Sequence, residues 1–166
     1  MLENHAKLMH FFASCDEVVG RKRLQKMVYI MKKCGVEFEE RYEFHFYGPY
    51  SEELTLRIEE MCNLGFLSEA MEEKKNYYQY RYQLTEAGND FLSHSAIDLP
   101  ELGDYIEGMN EKSSRFLELV STMLFFEHLP QDEIEEKVYT VKSKQNYKSE
   151  ELEEAWRFIR EMRSYS

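Results

Sequence analysis

The sequence predicts an α+β fold in which helices and a β-hairpin are followed by further helices. Three observations predict it. Residues 42–47 alternate as a strand does, and Gly48-Pro49 then leads directly into a capped helix. An amphipathic helix pattern precedes them at 21–34. A hairpin pattern follows them, and it closes with the segment Tyr82-Gln83-Leu84-Thr85-Glu86-Ala87-Gly88.

The first half of the chain contains three predicted helices. Apolar residues at three- and four-residue steps predict the first two, over 2–15 and 21–34. Gly35 follows basic residues that complement the helix dipole, and glycine can adopt the left-handed conformation that ends a helix. Ser51 is the predicted N-cap of the third helix, because acidic residues fill the following turn.

The aromatic stretch before the third helix is predicted to form a half-buried strand. Tyr42, Phe44 and Phe46 alternate with Glu and His, so we expect these three side chains in the core. Gly48-Pro49 is expected to end the strand, because both residues interrupt regular structure.

Two further strands are predicted at 66–71 and 77–84, joined by a short polar loop. Thr85 is the predicted cap of the helix that follows, and Gly88 is expected to let that helix pack closely. Helix, helix, strand, helix and hairpin is the order of a winged helix. The sequence therefore predicts a winged-helix-like domain over residues 1–95.

The rest of the chain, residues 96–166, is a predicted all-helical extension. A connector at 94–100 separates it from the first domain. Helices are predicted at 102–109, at 113–128, from Pro130 onward and at 150–162. Their apolar faces either cover one another within one chain or pair across a two-fold axis, so both a monomer and a homodimer are consistent with the sequence.

Composition limits the class of protein. The 166-residue chain is 43% hydrophobic, enough for a core, and carries a net charge of −11. No apolar run approaches the roughly 18 residues of a membrane-spanning helix. The first residues lack a secretory signal, so we expect a cytoplasmic protein with no membrane partner. The three cysteines are widely spaced and odd in number, which indicates reduced thiols rather than disulfides or a zinc site.

No residue pattern indicates catalysis. The five histidines lack the spacing of metal ligands, and the sequence contains no nucleophile elbow, phosphate-binding loop or dinucleotide-binding fingerprint. Adjacent acidic pairs such as Glu52-Glu53 point apart on a helix, so they belong to solvated faces. We therefore expect a non-enzymatic protein without catalytic, metal-binding or cofactor-binding residues.

DNA binding is the less favoured of two functions that the sequence leaves open. The net charge argues against it, because phosphate affinity comes mainly from clustered Lys and Arg. The helix at 51–60, which would enter the major groove in a winged helix, carries four glutamates and one arginine. A DNA-binding transcription regulator would instead use the second helix and the wing, through Arg21, Lys22, Arg23, Lys74, Lys75 and Arg81.

Two motifs resemble a protein-binding domain. Residues 22–29, Lys-Arg-Leu-Gln-Lys-Met-Val-Tyr, resemble the helix motif of the SocA-like antitoxin domain, also called Panacea. Residues 47–54, Tyr-Gly-Pro-Tyr-Ser-Glu-Glu-Leu, resemble its Gly-Pro turn before a helix, although that domain usually has a short aliphatic residue where this chain has Tyr50. The resemblance covers roughly residues 20–90. Over essentially its whole length, the chain is similar to the YwgA family of Bacillus-type proteins.

The antitoxin resemblance implies a protein that binds other proteins, in some cases a toxin. Exposed tyrosines beside a rigid turn also make good interface anchors. The favoured function is therefore a protein-interaction module of antitoxin-like character. Its predicted partner-binding residues are Lys22, Gln25, Lys26, Tyr29, Tyr47, Gly48, Pro49 and Tyr50.

Overall fold

The structure is a computed structural model that describes residues 2–97 and 99–166, and it confirms the α+β class. The helices predicted in the first half are present, with ends that differ by a few residues at most. The elements of this half are α1 (Glu3–Cys15), β1 (Val18–Val19), α2 (Arg21–Lys33), β2 (Glu43–His45), β3 (Gly48–Tyr50), α3 (Glu52–Asn63), β4 (Leu67–Glu73), β5 (Tyr78–Leu84) and α4 (Glu86–Ser93).

The described part of the second half is helical, as the sequence predicts. A short 3-10 turn at Ser143–Gln145 separates the last two helices. The helices are α5 (Gly103–Asn110), α6 (Ser114–Phe125), α7 (Gln131–Val141) and α8 (Ser149–Arg163).

Two predicted caps begin helices in the structure. The Ser51 Oγ accepts a hydrogen bond from the Leu54 N–H at 3.1 Å, and α3 begins there. The Thr85 Oγ1 accepts one from the Gly88 N–H at 3.0 Å at the start of α4. Each hydroxyl pairs a backbone N–H that the first turn of a helix leaves without a partner.

A three-stranded antiparallel sheet joins the start of the chain to the wing, in the strand order β1-β5-β4. Val18 lies opposite Tyr82, and Leu67 lies opposite Leu84. The segment 18–19, between the first two helices, forms a strand because the edge of β5 offers it backbone partners. Tyr82 is buried, as the alternation of the last wing strand predicts.

Strand β2 ends at His45, so it does not continue through Gly48-Pro49, as expected. These residues begin β3, which folds back on β2 as a separate two-stranded hairpin, with Phe44 opposite Pro49 and His45 opposite Gly48. Gly48 has a φ of 100°, a conformation that glycine adopts without strain, so the chain can reverse at once. Proline is tolerated in β3 because this strand has only one neighbour.

The expectation that Phe46 lies in the core is wrong. It stands at the turn of the hairpin and its surface is 78% exposed, because the chain reverses there and no further strand covers it. The other two aromatic residues of the alternation do pack inward. Tyr42 contacts Tyr29, with ring centroids 4.7 Å apart, and Phe44 lies 5.2 Å from Phe125.

Helix α2 lies at the centre of the molecule. Eight consecutive residues, 24–31, are buried in it. Helix α6 and strand β3 both pack against α2 and against each other, so the hairpin lies between the two helices. The buried residues of 2–93 and of 102–162 form one continuous hydrophobic cluster, and the helical extension therefore contributes to the core around α2.

No helix in the part of the chain that the structure describes is long and apolar enough to cross a membrane. The three cysteines are free, as predicted, with Cys15 and Cys34 buried and Cys62 half-buried. Burial raises the pKa of the Cys15 thiol to about 12, which keeps it protonated and unreactive at neutral pH.

Substitution of Gly88 by Ala should lower the free energy of unfolding by roughly 2–3 kcal/mol, because a Cβ here would lie 2.2 Å from the Phe66 carbonyl oxygen. Gly103→Ala is the matched control, since no atom lies within 4 Å of its Cβ position. Urea unfolding of both variants tests the expectation. Equal stability of Gly88→Ala and the unchanged chain would show that α4 does not pack as described.

Candidate functional site

A cavity of about 490 Å³ opens between α2, the β2–β3 hairpin and α3, and we call it the hairpin pocket. Six of the eight predicted partner-binding residues line it: Lys22, Gln25, Lys26, Tyr47, Gly48 and Tyr50. Arg21, which was considered only for DNA binding, also lines it. The sequence motifs at 22–29 and 47–54 therefore come together at one concave surface.

Gln25 forms one wall of the hairpin pocket through a two-way contact with the start of α3. Its Oε1 accepts a hydrogen bond from the Ser51 N–H at 2.8 Å, and its Nε2 donates to the Ser51 carbonyl at 3.0 Å and to the Thr55 Oγ1 at 3.1 Å. The Tyr50 hydroxyl bonds the same Thr55 Oγ1 at 2.9 Å. These groups already have partners, so Gln25 positions the pocket rather than projecting free donors into it.

Lys26 is different, because its side chain is largely buried and its ammonium pairs with no described residue. The residue is 5% exposed, yet among the described residues none accepts a hydrogen bond or forms an ion pair with its Nζ. The Nζ lies 3.5 Å from the point where a Cβ on Gly48 would stand, so it lies beside the backbone of the hairpin. Burial lowers the pKa of Lys26 to about 8, and the ammonium form still predominates at pH 7.

A second buried lysine comes from the helical extension. Lys142, just after α7, donates from Nζ to the Phe46 carbonyl at 3.0 Å and pairs with Glu118 of α6 at 3.3 Å. The Tyr147 hydroxyl, which donates to the Arg115 carbonyl at 3.1 Å, also lies 3.4 Å from the other Glu118 oxygen. The charge of Glu118 raises the pKa of Lys26, although Glu118 forms its ion pair with Lys142. Sequence reasoning missed this group, since nothing in the 118–147 pattern marks it as buried.

The outer rim of the hairpin pocket is aromatic and cationic. The Lys22 Nζ lies 3.2 Å from the centre of the Tyr47 ring, a cation–π contact, and the His45 ring stacks on Tyr50 at 4.9 Å. Phe46 packs edge-on against Tyr47, with centroids 4.9 Å apart. Both side chains are exposed, by 78% and 48%, and together we call them the aromatic tip.

Two acidic residues line the side of the hairpin pocket away from the tip. Glu59 projects from α3, and Glu69 comes from β4. Glu69 accepts a hydrogen bond from the Tyr82 hydroxyl at 2.7 Å and lies 3.7 Å from Arg21. Arg21 in turn donates to that hydroxyl at 3.3 Å and stacks on Tyr80. This arginine is therefore held by groups of the protein itself.

The remaining two predicted partner-binding residues do not line the hairpin pocket. Tyr29 is 4% exposed and lies one turn further along α2 than Gln25, where it packs against Tyr42 and Phe125. Pro49 is buried opposite Phe44 in the hairpin. Both residues are buried, so neither presents a surface to a partner.

Most of the cations considered for DNA contact already have partners. Arg23 donates to the carbonyls of Met109 and Lys112, both at 2.9 Å, and so fastens α2 to the end of α5. Arg81 pairs with Glu17 and Glu72, and Lys74 pairs with the same Glu72 at 3.2 Å. Lys75 is exposed at the tip of the wing.

Helix α3 presents acid rather than base to the solvent. Its one arginine, Arg57, is held by the buried carboxylate of Glu40, while Glu52, Glu59 and Glu60 are exposed.

Over residues 2–97 and 99–166, no three His, Cys, Asp or Glu side chains gather as a metal ion would require.

The chain is similar to a curated protein over nearly its whole length. The chain is 58% identical, over 163 residues, to a Bacillus subtilis (strain 168) protein described as "Uncharacterized protein YwgA". The alignment covers 98% of each chain. No family model matches the chain, and no solved structure matches it. The resemblance to the SocA-like antitoxin domain therefore stays a hypothesis.

Replacement of Lys26 by Met should stabilise the protein at pH 7 by about 3 kcal/mol, because the variant removes a buried cation that lacks a partner. The folded-state pKa of about 8 lies below the ordinary 10.5, so the unfolded chain holds more protons between these values. The stability of the unchanged protein must then rise with pH across that window. We expect the advantage of the variant to be full below pH 8 and to shrink toward pH 10.5.

Urea unfolding of both proteins at several pH values measures this difference, with Lys75→Met as the control for loss of one exposed charge. A Lys26→Met variant that is less stable than the unchanged protein at pH 7 would mean that the ammonium has a stabilising partner.

Proposed function

This chain belongs to the YwgA family, and we propose that it is a non-enzymatic interaction module that binds a protein partner through the hairpin pocket and the aromatic tip. The observation that carries the proposal is the placement of two exposed aromatic rings at the mouth of a preformed concave surface. Large aromatic side chains are among the residues that contribute most to binding between proteins.

The proposed scaffold is a winged helix with a hairpin inserted between its second and third helices. Two features support it. The elements α1, β1, α2, α3 and the β4–β5 wing follow in the order of that fold, and β1 pairs with the last wing strand. The inserted hairpin lies before α3, so the Gly-Pro turn and the start of α3 form one unit.

Rigidity of the hairpin supports a role in binding. Its strand β3 packs on both α2 and α6, and Lys142 holds the carbonyl of Phe46. The backbone under the aromatic tip is therefore fixed before a partner arrives, which reduces the entropy that binding must overcome. We propose the cytoplasm as its location, because three free cysteines are typical of a reducing compartment.

A DNA-binding regulator is the weaker proposal. Of the six cations named for it, Arg21, Arg23, Lys74 and Arg81 form ion pairs or hydrogen bonds within the protein. The exposed side of α3 is acidic, and it would face phosphate groups in the usual docking of a winged helix. Both features reduce the affinity for a polyanion.

Replacement of both Phe46 and Tyr47 by Ala should abolish partner binding without unfolding the protein, because these side chains are exposed. The tagged chain and its variants are purified from the native cytoplasm. The proteins bound to equal amounts of each are identified by mass spectrometry. We expect at least a tenfold loss of one specific protein with this double variant. The control is Tyr77→Ala with Tyr78→Ala, two exposed tyrosines on the wing, which should retain that protein.

Retention of every bound protein by the tip variant would contradict the proposed surface. A mobility-shift titration with duplex DNA provides the second arm. A shift at low ionic strength that weakens steeply with salt, and weakens further in Lys22→Ala or Lys75→Ala, would favour the regulator instead.

A further inference from the structure

We propose that the hairpin pocket receives one carboxylate from an acidic side chain in a peptide segment of the partner protein, with the Lys26 ammonium as its counter-ion. The inference rests on the proposed function and names the chemical group that the pocket recognises. It depends on the balance of charge under the hairpin, on the other groups that line the pocket, and on the adjoining aromatic tip.

The charges under the hairpin do not balance. Lys22, Lys26 and Lys142 act on one another there, and Glu118 is the carboxylate that attracts Lys26 among the described residues. Glu118 already forms an ion pair with Lys142. An isolated buried ion is unfavourable unless a group of opposite charge reaches it. Entry of one anion would complete this cluster.

The other lining groups favour a single negative charge on an apolar body. Leu24 and Ile58 supply apolar surface. Glu59 and Glu69 would repel a second charge, and Arg21 is already engaged by Glu69. Phosphate groups are recognised best by free arginines or clustered backbone N–H donors, whereas Arg21 already pairs with Glu69. A carboxylate carries a single negative charge, which one ammonium can balance.

The position of Lys26 favours an acidic side chain over other sources of a carboxylate. Its Nζ lies deep, beside Gly48, so a slender group must reach it from the surface. A Glu or Asp side chain can do so while its peptide backbone stays at the mouth. The residues next to it in the segment would then lie against Phe46 and Tyr47, which are exposed at that mouth.

Binding should depend on pH through Lys26. The charged groups around it are Lys22 on α2, Glu118 on α6 and Lys142 after α7, while His45 lines the same pocket from β2. The ammonium predominates below pH 8, so the carboxylate should bind there and weaken as the pH rises above it. The bound carboxylate should also raise the pKa of Lys26, because it stabilises the charged form.

The test uses two capped peptides, Ac-Leu-Glu-Phe-NH2 and Ac-Leu-Gln-Phe-NH2, added to the full chain and followed by NMR at the Gly48 amide and the Lys26 Cε. We expect the Glu peptide to bind at least tenfold more tightly than the Gln peptide at pH 7. It should also raise the pKa of Lys26 by about one unit. Lys26→Met should bind both peptides equally weakly, whereas Lys75→Met should behave as the unchanged chain.

Four outcomes would overturn the inference. Equal binding of the two peptides, or no shift at Gly48, would show that the pocket does not recognise a carboxylate, while the loss of the partner in the aromatic-tip variant could still support the proposed function. Tighter binding of inorganic phosphate than of the Glu peptide would make the site a phosphate site. Tighter binding of Ac-Leu-Phe with a free carboxyl end would assign the carboxylate to a chain terminus.

Discussion

The burial of α2 on all sides is the constraint on which the rest of this structure depends. A helix with eight consecutive buried residues has no solvated face, so each polar side chain within it must find a partner or remain uncompensated. Gln25 finds the backbone of Ser51, and this contact joins the middle of the chain to the cap of α3. The position of α3, and with it one wall of the hairpin pocket, follows from satisfying one buried amide.

The helical extension shapes the same surface. Arg23 fastens α2 to the carbonyls that end α5, and Lys142 holds the hairpin through the Phe46 carbonyl. Both contacts join residues that are far apart in the sequence, so residues 1–95 alone would lack the support under the aromatic tip. The extension therefore acts as a structural part of the candidate site, whatever its boundary with the first domain.

Local signals made much of this predictable. The caps at Ser51 and Thr85, the glycine at 88 and the apolar periods of the helices are short-range features, and a sequence displays them directly. The predictions failed where the exposure of a side chain depends on residues that are distant in the sequence. Phe46 continues the alternation of a strand, but the chain reverses at that residue and exposes it. The sequence around Lys142 is typical of an exposed helix end. Its burial depends on a hairpin almost a hundred residues earlier.

A buried lysine lowers the stability of the free protein but strengthens the binding of an anion in a complex. Met has a similar length and would fill the space beside Gly48 without the cost of removing a charge from water. The same low-polarity surroundings that make the Lys26 ammonium costly also strengthen its attraction to an entering anion, because surrounding water screens it less. Exposed lysines such as Lys75 attract an anion only weakly, since water screens them with or without a partner. In a protein of net charge −11, the long-range field repels acidic segments, so selection for one carboxylate must come from a short-range contact of this kind.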